Sequence, residues 1–131
     1  MMKDEQMSVD KNIRILIVED DYHISRILQL AMAQGGAPYQ QDAALSAEEA
    51  LEMWDKQPYD LLLTDYNLRG MTGLQLIQTL RDRGEQVPVM LMTAYDTPKL
   101  EREAKTLDIA AYIPKPFLIE EVLEKIERVL K

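Results

Sequence analysis

The chain has 131 residues, 47% of them apolar and 29% charged, the balance of one folded domain around a single core rather than of a disordered segment. Its formal charge of −8, from 23 acidic against 15 basic residues, repels phosphate backbones, so direct nucleic-acid binding by this domain is not expected. The absence of cysteine excludes disulfides, zinc-thiolate sites and thiol nucleophiles, and no apolar run approaches the roughly 20 residues that span a bilayer.

The polar start, Met1 to Asn12, lacks a secretory pattern, so a cytoplasmic location is expected, with 1–11 a flexible N-terminal extension and 12–131 the folded domain. Ile13 to Val18 (IRILIV) is a branched, nearly continuous apolar run, the mark of a strand covered on both faces, and it stops at Glu19-Asp20-Asp21. Ile24, Ile27, Leu28 and Ala31 then recur at helical spacing, with Asp21 placed to cap the helix and Gly35-Gly36 to end it. Asp21 also adjoins the acid pair, but the cap is the favoured reading. Tyr39 to Ala44 is a weaker strand between two helices. Ser46 and Glu49 form a capping box for a second helix whose inner face carries Ala47, Ala50, Leu51 and Trp54, which makes the only tryptophan a core residue.

Pro58-Tyr59 breaks the chain before Leu61 to Thr64, a third strand that ends, like the first, at an acid, Asp65. A loop from Tyr66 to Thr72 leads through Gly73 into a helix with Leu74, Ile77 and Leu80, closed by Gly84. Pro88 opens a fourth strand, Val89 to Met92, which ends at Thr93. Thr97-Pro98 then supplies cap and first position of a helix reaching Leu107. Ala111 to Ile113 is a short fifth strand ending at Pro114-Lys115-Pro116, and Ile119, Val122, Leu123, Ile126, Val129 and Leu130 line the last helix. Strands alternating with helices over short connections imply an α/β fold: a three-layer, doubly wound (βα)5 sandwich around a five-stranded, mostly parallel sheet.

Ligands of such sheets bind beyond the carboxyl ends of the strands, where this chain places Glu19, Asp20, Asp65, Thr93 and Lys115. Crowded carboxylates repel one another unless a hard cation joins them, and Mg2+ prefers oxygen ligands shared with phosphate oxygens. Asp65, the central acid, is the candidate nucleophile for a phosphoryl group; Lys115 would neutralise that group and the Thr93 hydroxyl would bond it. Singly, each residue has a bland explanation: a cap, a turn or a solvated charge. The bland explanations are independent and do not place matching residue types at the ends of four strands, so the joint functional reading is preferred.

With ILIVEDD (15–21), LLLTDYNLRGMTG (61–73), PVMLMTA (88–94) and YIPKPF (112–117), the sequence resembles the response-regulator receiver family of two-component signalling over essentially residues 12–131. The resemblance implies a CheY-like, flavodoxin-like strand order 2-1-3-4-5, for which a receiver protein is itself a standard example. It also implies phosphorylation of Asp65 by a sensor histidine kinase or a histidine phosphotransfer protein. Mg2+ would be held by Glu19, Asp20, Asp65 and the Asn67 backbone carbonyl, with Thr93 and Lys115 on the phosphoryl group. Thr93 and Tyr112 would form the switch, and Asn67 and Tyr95 would tune dephosphorylation. Output would pass through the fourth helix, fifth strand and fifth helix to a downstream effector or a fused output domain, with homodimerisation through the same face a further expectation. The domain would transfer phosphate only to and from itself, and no membrane partner is expected.

Arg69, Asp108 and Ser25 depart from the proline, glycine and arginine common at their positions; none is a phosphorylation residue. The alternatives rank lower. A phosphorylation-independent receiver-like interaction module should lack the acceptor, an acid or the lysine. An aspartate-nucleophile phosphatase usually carries an acid where Asn67 stands. A flavin carrier would need a glycine- or hydroxyl-rich cradle in place of EDDYH (19–23).

Overall fold

A computed structural model of the chain describes residues 13–34 and 39–131; the expected extension over 1–11 and the Gly35-Gly36 helix stop lie outside the described residues. The five expected strands form as β1 (Ile13–Val18), β2 (Tyr39–Ala44), β3 (Leu61–Asp65), β4 (Val89–Thr93) and β5 (Ala111–Pro114). The helices are α1 (Tyr22–Gln34), α2 (Ala47–Lys56), α3 (Gly73–Asp82), α4 (Pro98–Thr106) and α5 (Ile119–Leu130). All pairings are parallel and the strand order is β2-β1-β3-β4-β5, the three-layer α/β arrangement expected.

Strand alternation divides the core into two layers. Leu16, Val18, Leu62, Val89 and Leu91 meet α2, α3 and α4 on one face of the sheet. Ile15, Ile17, Leu61, Leu63, Met90, Met92 and Ile113 meet α1 and α5 on the other. The near-continuous apolar runs of β1, β3 and β4 follow from this, because a strand covered on both faces cannot afford a polar row.

Helix starts are set as the sequence implies. Asp21 Oδ1 accepts from the His23 and Ile24 amides at 2.9 and 3.2 Å, which makes Asp21 the cap of α1. The Ser46 and Thr97 hydroxyls accept from the Glu49 and Leu100 amides at 3.0 and 3.1 Å. Glu49 reaches one residue beyond the cap, accepting from the Leu45 amide at 2.7 Å. Trp54 is buried in the core between α2 and the sheet, its ring 5.2 Å from that of Tyr59.

In α1 the helical spacing is right but the inward phase is shifted. Ser25, Leu28 and Met32 are buried, whereas Ile27 is 51% exposed. The face a helix buries is decided by how it sits on the sheet, and here the Ser25 hydroxyl is tolerated inside because Gln29 Nε2 donates to it at 3.1 Å.

At the opposite rim from the strand carboxyl ends, Arg81 ties three segments together. Its guanidinium donates to the carbonyls of Glu85 and Val87 at 2.9 Å each, Leu107 at 3.0 Å and Asp108 at 3.3 Å. Asp108 stands in the left-handed region with φ 57, which accounts for the glycine expected there; aspartate is one of the few other residues that tolerates it.

Candidate functional site

Register places the acids. Val18 pairs with Thr64, so Glu19 and Asp65 follow side by side at the ends of β1 and β3. Backbone pairing continues past the strands: the Glu19 amide donates to Ala44 O at 3.1 Å, Tyr66 to Met92 O at 2.8 Å and Lys115 to Thr93 O at 2.8 Å. The chain ends that carry the polar side chains are thereby held as firmly as the strands themselves.

Ligand oxygens of Glu19, Asp20 and Asp65 all lie within 4.8 Å of one another. Glu19 and Asp65 are buried, 1% and 5% exposed, while Asp20 stands at the mouth. The Lys115 amine donates to Glu19 Oε1 at 2.9 Å and lies 3.2 Å from Asp65 Oδ2. Glu19 Oε2 accepts from the Asp21 amide at 3.1 Å, which fixes the carboxylate's orientation.

Burial pushes the Glu19 carboxyl above its usual range, against the lowering effect of the Lys115 hydrogen bond and with the Asp65 charge adding to the rise. Burial likewise raises Asp65, with Lys115 pulling it back. For Lys115, burial works against the charged form, but the Glu19 hydrogen bond and the charges of Asp65 and Glu19 outweigh it, and its pKa is raised. One ammonium among three carboxylates leaves a surplus of negative charge. An all-oxygen donor set of that kind fits a hard divalent ion such as Mg2+, which binds through one or two carboxylates and retains room for phosphate oxygens.

The other expected residues are placed around this group without joining it. The Thr93 side chain is buried, and its hydroxyl accepts from the Tyr95 amide at 2.9 Å. Tyr112 is half-buried in the layer under α4, and its hydroxyl donates to Leu100 O at 3.4 Å, a long contact. Asn67 and Tyr95 are exposed on the loops after β3 and β4.

Two neighbours of the site were not singled out from sequence. Gly73 passes so close beneath Asp65 that an added Cβ would lie 2.3 Å from the Asp65 carbonyl oxygen and 3.0 Å from Tyr66 Cα, and its amide donates to Tyr66 O at 2.8 Å. The only local hint was a glycine at the first position of a helix, where a better helix former is usual. Arg69, noted only as a departure, brings its Nε to 3.9 Å from Asp20 Oδ2.

A five-stranded parallel sheet in this order, with an acid cluster and a lysine at its carboxyl rim, defines a CheY-like receiver. Comparison with known proteins agrees: residues 15–127 match the family described as response regulator receiver domain, and the chain belongs to that family. It is 39% identical over 119 residues to the uncharacterized transcriptional regulatory protein YkoG of Bacillus subtilis, covering 89% of this chain and 50% of that protein. It is 32% identical to sporulation initiation phosphotransferase F of the same organism, covering 91% and 94%. Among solved structures, the chemotaxis protein CheY4 of Vibrio cholerae superposes with a TM-score of 0.83 at 26% identity, covering 90% of this chain and 98% of that one. The chain spans about half the length of several curated relatives, transcriptional regulatory proteins among them.

Proposed function

We propose that residues 12–131 act as a phosphorylation switch: Asp65 accepts a phosphoryl group from a phosphohistidine of a sensor histidine kinase or a histidine phosphotransfer protein, in a Mg2+-dependent reaction. The single observation that carries this reading is the gathering of Glu19, Asp20 and Asp65 within 4.8 Å with the Lys115 amine against them. Glu19, Asp20, Asp65 and the Asn67 backbone carbonyl would hold the ion, whose charge offsets that of the transferring group when bound.

A carboxylate oxygen of Asp65 attacks phosphorus, the P–N bond breaks, and the imidazole leaves with the electron pair. Lys115, whose amine lies 3.2 Å from Asp65 Oδ2, would neutralise the phosphoryl oxygens. Water later cleaves the acyl phosphate and releases inorganic phosphate, with Asn67 and Tyr95 flanking its approach and tuning the lifetime. Both steps are self-directed, so the domain turns over no external substrate.

Phosphorylation acts by favouring the conformer that best meets the new charge. Thr93 would exchange its Tyr95 amide contact for a phosphoryl oxygen, and Tyr112 would follow into the space vacated. The altered face is α4, β5 and α5, offered to an effector protein or a fused output domain and available for homodimerisation. A cytoplasmic location accords with such partners; no described helix is long and apolar enough to cross a membrane.

Incubation with acetyl phosphate and Mg2+, read by intact mass, tests the reading. Wild type gains one phosphoryl group that is lost on standing and is absent when Mg2+ is chelated; Asp65→Asn gains none. Equal labelling of Asp65→Asn, or none of wild type, sinks it.

A further inference from the structure

The buried half of the acid pocket has its own cation, since Lys115 serves Glu19 and Asp65. Asp20, at the mouth, has a different one. The Nε of Arg69 lies 3.9 Å from Asp20 Oδ2, on a side chain 90% exposed. Gly70 follows directly with φ 75, turning the chain, and Gly73 pins the loop's far end against Asp65 and Tyr66. The loop is thus anchored at both ends beside the pocket and keeps the guanidinium within reach of it.

We infer that Arg69 is an exchangeable counter-cation of the phosphorylation site: it holds Asp20 before a divalent ion binds, yields it on binding, and then turns its freed guanidinium to the anionic phosphoryl group. The inference rests on the reading given above. A contact at 3.9 Å on an exposed side chain is weak, which is what an exchangeable partner requires; a tight pair would exclude the ion. Displaced, a planar guanidinium with five donors suits phosphoryl oxygens better than an ammonium does. Arg69 therefore opposes the metal and assists the phosphoryl group, a pair of opposite signs that a purely structural residue would not produce.

The test measures Mg2+ affinity of the unphosphorylated protein by calorimetry, and the beryllofluoride concentration giving half-conversion at saturating Mg2+. Arg69→Gln is compared with wild type, Arg69→Lys and Arg83→Gln, the last removing the same charge at the opposite rim, where it pairs with Asp55 at 2.8 Å. Arg69→Gln is expected to bind Mg2+ about two- to fivefold tighter at low ionic strength, with the difference fading in high salt. It is expected to need about two- to fivefold more beryllofluoride. Arg69→Lys should match wild type for Mg2+ and fall between the two for beryllofluoride, and Arg83→Gln should match it in both. Unchanged or weaker Mg2+ binding by Arg69→Gln, an unchanged beryllofluoride requirement, or equal shifts in Arg83→Gln would overturn the inference. Failure of wild type itself to bind Mg2+ would instead overturn the proposed function.

Discussion

The Lys115 amine lies 3.2 Å from the Asp65 carboxylate, reaching it from β5 across the intervening strand β4. The same amine holds Glu19 at 2.9 Å, so one cation at the end of the sheet restrains two buried acids.

Removal of that cation should be costly. Lys115→Met keeps most of the volume but leaves Glu19 and Asp65 without a counter-charge, and the loss is expected to be roughly 2–3 kcal/mol, below the full cost of an orphaned ion because the carboxyls can take up a proton. Urea unfolding at neutral pH reads it directly. Mg2+ should restore part of the loss by binding only the folded form; an equal deficit with and without Mg2+ would mean that the ion does not share this pocket.

Asp65→Asn should have the opposite effect on stability. A carboxyl whose pKa is higher folded than unfolded binds protons more readily in the folded state, so its ionisation opposes folding as pH rises through the raised range. Asp65 is such a group, with burial the main cause. Replacing it is expected to stabilise the protein by about 1 kcal/mol at neutral pH, and the gain should vanish as pH falls below the ordinary carboxylate value near 4. Unfolding midpoints across that pH range, taken without Mg2+, decide it; a gain that grows toward acid pH contradicts the assigned direction.

Gly73→Ala tests the packing beneath Asp65. Its Cβ would meet backbone at 2.3 Å, so either the loop or the end of β3 must move. A loss of about 1–3 kcal/mol is expected, together with phosphorylation by acetyl phosphate slowed by about tenfold or more if Asp65 is the proposed acceptor, because the position of Asp65 depends on that contact. Wild-type rates in the variant would show that the approach constrains only the loop.

Tyr59 provides a handle on the far rim. Its hydroxyl donates to Asp42 Oδ2 at 2.7 Å, and Arg14 pairs with the same oxygen at 3.1 Å. Burial first, then Asp42, pushes the phenol up to about 12. The proton is held more tightly folded than unfolded, so this contribution is complete below the unfolded value near 10 and is lost as pH rises toward 12. Tyrosinate absorbance of wild type against Tyr59→Phe should lose one late-titrating group; the variant should also show a shallower alkaline fall in stability.

How much of this was legible in advance differs by element. Strands β1, β3 and β4 stood out because both faces are buried and their apolar runs are unbroken, and the helix starts stood out because Asp21, Ser46 and Thr97 answer a local need for amide acceptors. The inward phase of α1 was not legible, since Ile27 and Leu28 are equally apolar and only the sheet decides which of them it meets.

The sequence by itself determined the chemistry at the rim: three acids, a threonine and a lysine at the carboxyl ends of four strands, because the change from apolar run to polar residue is written locally. Tertiary structure alone decided which of these meet. The parallel register set Glu19 beside Asp65, and the strand order with the length of the lysine chain brought Lys115 to both, while Thr93 stayed on its own loop amide. Gly73 and Arg69 belong to the site for the same reason: their roles are distances to other segments, and a distance across a fold leaves no mark on the residue's immediate neighbours in the chain.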